Sequence, residues 1–217
     1  MDILQGLAEH GAVYKDLHFV YKSKTHGPHY INPDAFSPDV AFLNGVCEDI
    51  AWEFRNDAID VVVSAAVGGI PTGVLVALHL SFLRRLPVQS VWGDKDGDNF
   101  VFERAGFAEK VKDKRVLFVE DLLNKGDTTK KVVDLIRQNG GEVIGAGAIC
   151  NRGGATAESL GVPRFVPLSE VDFEMFDPAV CPLCQANVPI VADIGHGAEY
   201  KAANPDYPGG YISLLAT

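Results

Sequence analysis

Apolar residues recur along this chain with two spacings. Between Pro38 and Phe54, residues Ala41, Phe42, Gly45, Val46, Ile50 and Ala51 fall three or four positions apart, which predicts a helix with one buried face. Elsewhere they come in short, nearly unbroken runs: AIDVVVSAA (58–66), Pro87 to Trp92, RVLFVE (115–120), EVIGAGAI (142–149) and RFVPL (164–168). Runs of that length, bounded by glycine or polar turns, predict strands covered on both faces. Helices are predicted between them, from Thr72 to Leu83 after GGIP and from Asp127 to Asn139, with Gly140-Gly141 as a C-terminal cap. Residues 2–10 read as a short amphipathic helix, and Leu17 to Ile31 as two extended segments around the turn SKTHGP, which makes His26 a turn residue. WGDKDGDN reads as a polar loop, with a short strand returning in FVFERAGF. Strands alternating with helices predict an α/β fold, a parallel sheet with helices on both faces. The stretch from Asp172 to Thr217 is rich in Pro and Gly but keeps Phe173, Phe176, Val188, Ile190 and Val191, so it reads as an irregular lobe rather than a linker.

Composition narrows the function classes. A length of 217 residues suits one α/β domain, alone or with a small subdomain, and 47% hydrophobic residues suffice for a core. A formal net charge of -10 argues against non-specific nucleic-acid binding and against a membrane surface. The longest apolar stretch, Gly73 to Phe82, is broken by His79 and Ser81 and is too short to span a bilayer. The first residues carry early acids and no basic segment, so a cytoplasmic protein is expected.

The candidate chemistry lies in VLFVEDLLNKGDT, residues 116–128. A buried strand ends in two adjacent carboxylates, Glu120 and Asp121, followed by a polar turn around Gly126. Ligands of open α/β sheets sit beyond the carboxyl ends of the strands. Paired carboxylates there can accept hydrogen bonds from vicinal hydroxyls or take part in a magnesium site. The following helix offers free N–H groups and a positive dipole end, which suit a phosphate, and Thr128 and Thr129 add hydroxyls. The same residues admit a plainer reading, in which Asp121 ends a strand and Asp127 or Thr128 caps a helix.

This stretch resembles the phosphoribosyl-pyrophosphate (PRPP) motif of type I phosphoribosyltransferases. The rest of the chain resembles the orotate phosphoribosyltransferases in particular. FVYKSKTHGPHYIN (19–32) is similar to that family's N-terminal segment, SAAVGGIPTG (64–73) to its pyrophosphate loop, VWGDKDGDNFVFERAGF (91–107) to its mobile catalytic loop and AICNRGG (148–154) to the strand end whose arginine meets orotate. CPLC (181–184) resembles a feature of one bacterial branch. The resemblance implies a type I phosphoribosyltransferase sheet with a small hood lobe built from about residues 1–36 and 170–217, all in one domain. It implies transfer of phosphoribosyl from PRPP to orotate, with Mg2+ carried by PRPP rather than by protein ligands. Glu120 and Asp121 would hold the ribose hydroxyls, and the backbone of Asn124, Lys125, Gly126, Asp127 and Thr128 the 5′-phosphate. Gly68, Gly69 and Ile70 would direct N–H groups at the pyrophosphate. Lys95, assisted by Arg104, would neutralise the leaving group. Arg152 would pair with orotate, and Lys22 and Ser23 would contact base or pyrophosphate. A homodimer is implied, with the mobile loop reaching the partner's site.

Three departures accompany the resemblance. The family's phosphate loop usually reads T-T-G-G-[ST], where this chain has Asn124-Lys125-Gly126-Asp127-Thr128. Asp127 either faces the phosphate, offset by Lys125, or turns outward as the helix N-cap. Gly68 stands where some relatives carry lysine, and GPHYIN replaces an aromatic-rich segment. Three functions stay open on this basis: an orotate enzyme, a phosphoribosyltransferase for another base, and a non-catalytic PRPP or nucleotide binder. Cys181 and Cys184 form half of a zinc knuckle, for which Cys150 and His196 are the candidate partners without diagnostic spacing; two reduced thiols in a turn are the expectation.

Overall fold

The computed structural model describes residues 2–215, and the chain divides into two compact units. One runs from Asp39 to Asp172; the other joins the residues up to Pro38 with those from Phe173 onward.

The larger unit is built on a six-stranded sheet in the order 165–170, 142–151, 115–123, 61–65, 89–96 and 99–101. The first five strands are parallel and the last is antiparallel to its neighbour. Residue parity explains the layering, because neighbouring side chains on a strand point to opposite faces. Val61, Val63, Val116, Phe118, Ala146 and Ala148 share one buried cluster with Val132, Val133 and Ile136 of the helix Asp127–Gln138. On the other face, Gly147 lies against Ile50 and Val119, and a Cβ on it would stand 2.9 Å from Ile50 Cγ2. A Cβ on Gly145 would stand 3.0 Å from the Phe54 ring, so the two glycines let the helix Val40–Glu53 approach closely. The helix Gly69–Arg84 packs on Val40–Glu53 and on the strand Val61–Ala65.

Several boundaries differ from expectation for identifiable reasons. The helix after GGIP begins at Gly69, three residues early, because Pro71 lies in the first turn, where its missing N–H removes no helical bond. The strand expected to end at Trp92 runs on to Asp96 and pairs with Asn99–Val101, Lys95 opposite Phe100. The expected loop WGDKDGDN is therefore mostly hairpin, turning at Gly97-Asp98, and its polar residues reflect an exposed sheet edge rather than irregular backbone. The strand Arg115–Leu123 likewise continues through the acid pair. Gly140, at φ +78°, ends the helix Asp127–Gln138 as foreseen: its N–H donates to Arg137 and that of Gly141 to Ile136.

In the terminal unit Asp2 caps the helix Ile3–Glu9 by accepting from Gln5 N at 3.2 Å. Phe19–Val20 pairs with His26–Gly27, Val13–Tyr14 with Tyr30–Ile31, and Ile190–Val191 with Tyr211–Ile212. Phe19, Val191 and Ile194 form one buried cluster, with Tyr14, Leu17, Tyr21, Tyr30 and Ile212 against them, and Leu7, Ile31, Phe36 and Ile190 are buried as well. His26 is not a surface turn residue. The turn closes earlier, through Tyr21 and Thr25, and His26 is fully buried in a strand. Among the described residues, no helix is long and apolar enough to cross a membrane.

The amino-terminal edge of the sheet is tied by Arg115, whose Nε and Nη2 donate to Asp60 Oδ2 and Oδ1 at 2.9 and 2.8 Å. This two-pronged bond holds the Asp60 carboxyl down from 3.8 to about 2. A depressed acid stabilises the fold fully above its unfolded pKa and loses that effect as pH falls through the folded value. Asp60→Asn is expected to cost about 1 kcal/mol in urea unfolding at neutral pH, discounted for partial exposure. The difference from wild type should shrink between pH 3.8 and about 2; a pH-independent difference would rule out the ion pair as its source.

Candidate active site

The carboxyl ends of the parallel strands carry most of the residues singled out from the sequence. Glu120 and Asp121 lie near the end of the central strand Arg115–Leu123, 8% and 9% exposed, after five residues that are almost wholly apolar and buried. Burial pushes the Glu120 carboxyl well above its usual range, and the adjacent Asp121 charge adds to this. Asp121 is also raised by burial, against the opposing pull of the Leu122 N–H, which donates to its Oδ1 at 2.6 Å, and of the Arg152 charge.

The loop from the neighbouring strand, Val61–Ala65, closes against both acids. A Cβ on Gly69 would stand 2.7 Å from Glu120 Oε1, and one on Gly68 3.0 Å from Asp121 Oδ2. Both positions therefore bring the backbone close to a carboxylate oxygen, most tightly at Gly69. The Glu120 carboxyl thus meets the amino-terminal turn of the helix Gly69–Arg84, the positive end of its dipole. The Ile70 N–H donates to the Val67 carbonyl at 3.2 Å.

Beyond Leu123, the turn Asn124-Lys125-Gly126 leads into the helix Asp127–Gln138. Gly126, at φ +86°, occupies the N-cap position without a side-chain cap, and its carbonyl accepts from Lys130 N at 2.8 Å. Asp127 is therefore the exposed first helical residue and not the N-cap. Thr128 is half-buried, but Thr129 is buried at 1% exposure and belongs to the interior rather than to the loop surface.

Arg152 follows the end of the strand Glu142–Asn151. Its backbone N–H donates to the Leu123 carbonyl at 2.8 Å and its Nε to Asn124 Oδ1 at 2.6 Å. Gly153 makes this docking possible, since a Cβ there would stand 2.6 Å from the Asn124 carbonyl carbon. The Arg152 and Asn124 loops are thus one assembly. Nothing in the spacing of two residues 28 positions apart announced that bond.

Lys95 and Arg104 sit at the exposed edge. Lys95 is exposed on the hairpin. Arg104 Nε lies 3.8 Å from Asp94 Oδ2, too long for a hydrogen bond, and its guanidinium stands 5.4 Å from the Trp92 ring centre. Asp94 was missed as a partner because it read as a loop residue, and Trp92 because it read as the end of a buried strand. Lys22 and Ser23 lie in the terminal unit on an exposed turn, where Ser23 Oγ is 2.7 Å from Thr25 Oγ1. Of the two candidate partners of the cysteine pair, Cys150 is buried in a sheet strand and His196 Nδ1 bonds Glu199. Cys181 and Cys184 instead meet His18 and His26.

Residues 41–180 match the phosphoribosyl transferase domain family. An acid pair at a strand end, a glycine loop over it and a helix-opening turn beside it belong, with that match, to a phosphoribosyltransferase enzyme. The chain is 32% identical over 193 residues to the orotate phosphoribosyltransferase of Carboxydothermus hydrogenoformans, covering 88% of this chain and 95% of the relative. It is 29% identical over 190 residues to that of Thermus thermophilus, covering 88% and 98%. Its fold is similar to a crystal structure of orotate phosphoribosyltransferase from Aeropyrum pernix, with a TM-score of 0.57 and 25% identity, over 77% of this chain and 93% of that one. The chain belongs to the orotate phosphoribosyltransferase family.

The raised Glu120 carboxyl has a measurable consequence. An acid whose folded pKa exceeds its unfolded value makes folding less favourable as pH rises above the unfolded value. Glu120→Gln removes that ionisation. In thermal melts, its stability relative to wild type is expected to rise from pH 4.5, the ordinary value, to pH 8. A relative stability flat across that range would mean that the buried carboxyl carries no ionisation cost.

Proposed function

We propose that this phosphoribosyltransferase uses orotate as its acceptor, forming orotidine 5′-monophosphate and pyrophosphate from orotate and PRPP. The observation that carries this reading is the joining of Arg152 to Asn124 beside the buried Glu120–Asp121 pair. A planar fork of donors suits a carboxylate or ring carbonyl, and an acid pair beside it suits a ribose diol, which supports this reading. The names borne by the relatives support the same acceptor.

Each residue then has a task. Ribose hydroxyls donate to Glu120 and Asp121, adding to the backbone N–H groups that each accepts from. The backbone of Asn124 to Thr128 seats the 5′-phosphate at a helix start, and Lys125 offsets the Asp127 charge. Gly68 and Gly69 admit the pyrophosphate to within backbone reach. Lys95 and Arg104 bring positive charge to the departing pyrophosphate from the hairpin. The carboxylate oxygens of Glu120 and Asp121 also suit a hard cation that keeps its waters, and Mg2+ arriving with PRPP would supply charge neutralisation at the leaving group. As the C1–O bond to pyrophosphate breaks, the orotate ring nitrogen bonds to C1, so the protein's work is positioning and electrostatics. Reaction in the cytoplasm fits the substrates.

The purified chain, given orotate, PRPP and Mg2+, is expected to consume orotate, read as loss of its absorbance. Lys95→Ala should lower kcat about 10²- to 10³-fold, the range for a lost transition-state charge contact. Asp127→Gly should retain turnover and bind PRPP more tightly. Silence from both the native chain and Asp127→Gly would remove orotate as the acceptor.

The working assembly is a homodimer. Val74, Leu78 and Phe82 recur every four residues on the helix Gly69–Arg84 and are 45%, 44% and 71% exposed, an apolar stripe that supports self-association. Light scattering is expected to give twice the chain mass, and Phe82→Asp to give the monomer mass. A monomeric native chain at the concentrations used for turnover would exclude the dimer as the working form.

A further inference from the structure

The C-x-x-C pair sits where two distant pieces of the terminal unit meet. Cys181 precedes the short helix Pro182–Gln185 and Cys184 lies within it. Facing them is the strand pair Phe19–Val20 and His26–Gly27, with His18 just before the first strand and His26 opposite Val20. The four potential ligand atoms lie within 4.8 Å of one another. His18, His26 and Cys181 are fully buried, and Cys184 is partly so.

The separations have a particular pattern. His18 Nε2 lies 3.8 Å from Cys181 Sγ, 3.7 Å from Cys184 Sγ and 2.9 Å from His26 Nδ1. His26 Nδ1 lies 3.2 Å from Cys184 Sγ. Tetrahedral zinc with bonds of about 2.0–2.3 Å would set its ligand atoms roughly 3.3–3.8 Å apart. A hydrogen bond between the two imidazoles accounts for one of these contacts. It does not account for both sulfurs converging on the same ring nitrogen. The outer contacts fit as well: His18 Nδ1 lies 2.9 Å from the Val188 carbonyl, which also accepts from Tyr207 Oη at 2.9 Å. A proton held on Nδ1 by that carbonyl leaves the Nε2 lone pair directed at the cluster, the arrangement usual for a metal-bound histidine.

We propose that His18, His26, Cys181 and Cys184 form a structural zinc site. Two thiolates and two neutral imidazoles complete a four-coordinate shell, leaving no open position for substrate. Its task is mechanical: it clasps the 18–26 hairpin to the 181–184 turn, two segments distant in the chain within one unit. This goes beyond the transferase chemistry, which assigns the cluster no role.

The test reads metal, not turnover. The full chain, purified under reducing conditions, is expected to carry about one zinc per chain, released when its thiols are blocked. Cobalt(II) loaded in its place should give the intense visible bands and the thiolate-to-cobalt absorption of a tetrahedral sulfur-containing site. Cys184→Ser and His18→Ala should lose the metal, while His196→Ala, outside the cluster, should keep it. A reduced native chain that carries no zinc and gives no thiolate–cobalt spectrum overturns the proposal, and this arm does not depend on any variant folding. Unchanged zinc in both Cys184→Ser and His18→Ala overturns it too, since the metal would then lie elsewhere.

Discussion

The site depends on two carboxyl groups buried at the end of a strand with apolar packing on both faces. Burying acids is costly unless they are protonated, paired or hydrogen-bonded, and Glu120 and Asp121 are held in that condition by the sheet around them. Their neighbours follow from this constraint. At Gly69 a Glu120 oxygen stands 2.7 Å from where a Cβ would lie, and at Gly68 an Asp121 oxygen stands at 3.0 Å. Arg152 brings positive charge that favours ionisation of Asp121. Each acid also accepts a backbone N–H, Glu120 from Asp121 at 3.4 Å and Asp121 from Leu122 at 2.6 Å.

The Asn124 loop shows how much of such a site is backbone. Its sequence departs from the family's threonine-rich form, yet the features that seat a phosphate at a helix start do not require those side chains. A left-handed glycine opens the helix, the first-turn N–H groups follow, and Arg152 braces the loop through Asn124. Asp127 adds charge at this point without serving as the cap, so its influence is electrostatic rather than conformational.

The terminal unit obeys different rules. It has short strands, many turns and a small aromatic cluster, and little of its order follows from periodic burial. Its two chain segments are joined by the His18–His26–Cys181–Cys184 cluster, by backbone bonds such as Val191 N to the His18 carbonyl at 2.9 Å and Phe176 N to the His26 carbonyl at 2.8 Å, and by Phe19 packed with Val191 and Ile194.

The amino-acid sequence by itself determined the sheet strands, the major helices and the acid pair at a strand end. Those features are local: an apolar run, a helical spacing or a glycine cap acts within a few residues, and EVIGAGAI or Gly140-Gly141 can be read where they stand. Polar stretches misled because polarity reports exposure, not irregularity, and so the edge hairpin through Lys95 resembled a loop. Only the tertiary structure decided that Arg152 binds Asn124, that Gly69 lies over Glu120, and that His18 and His26, rather than Cys150 and His196, face the cysteines. Each of these joins residues far apart in the chain, through side-chain directions and close approaches that exist only once the strands are in register and the two ends have met.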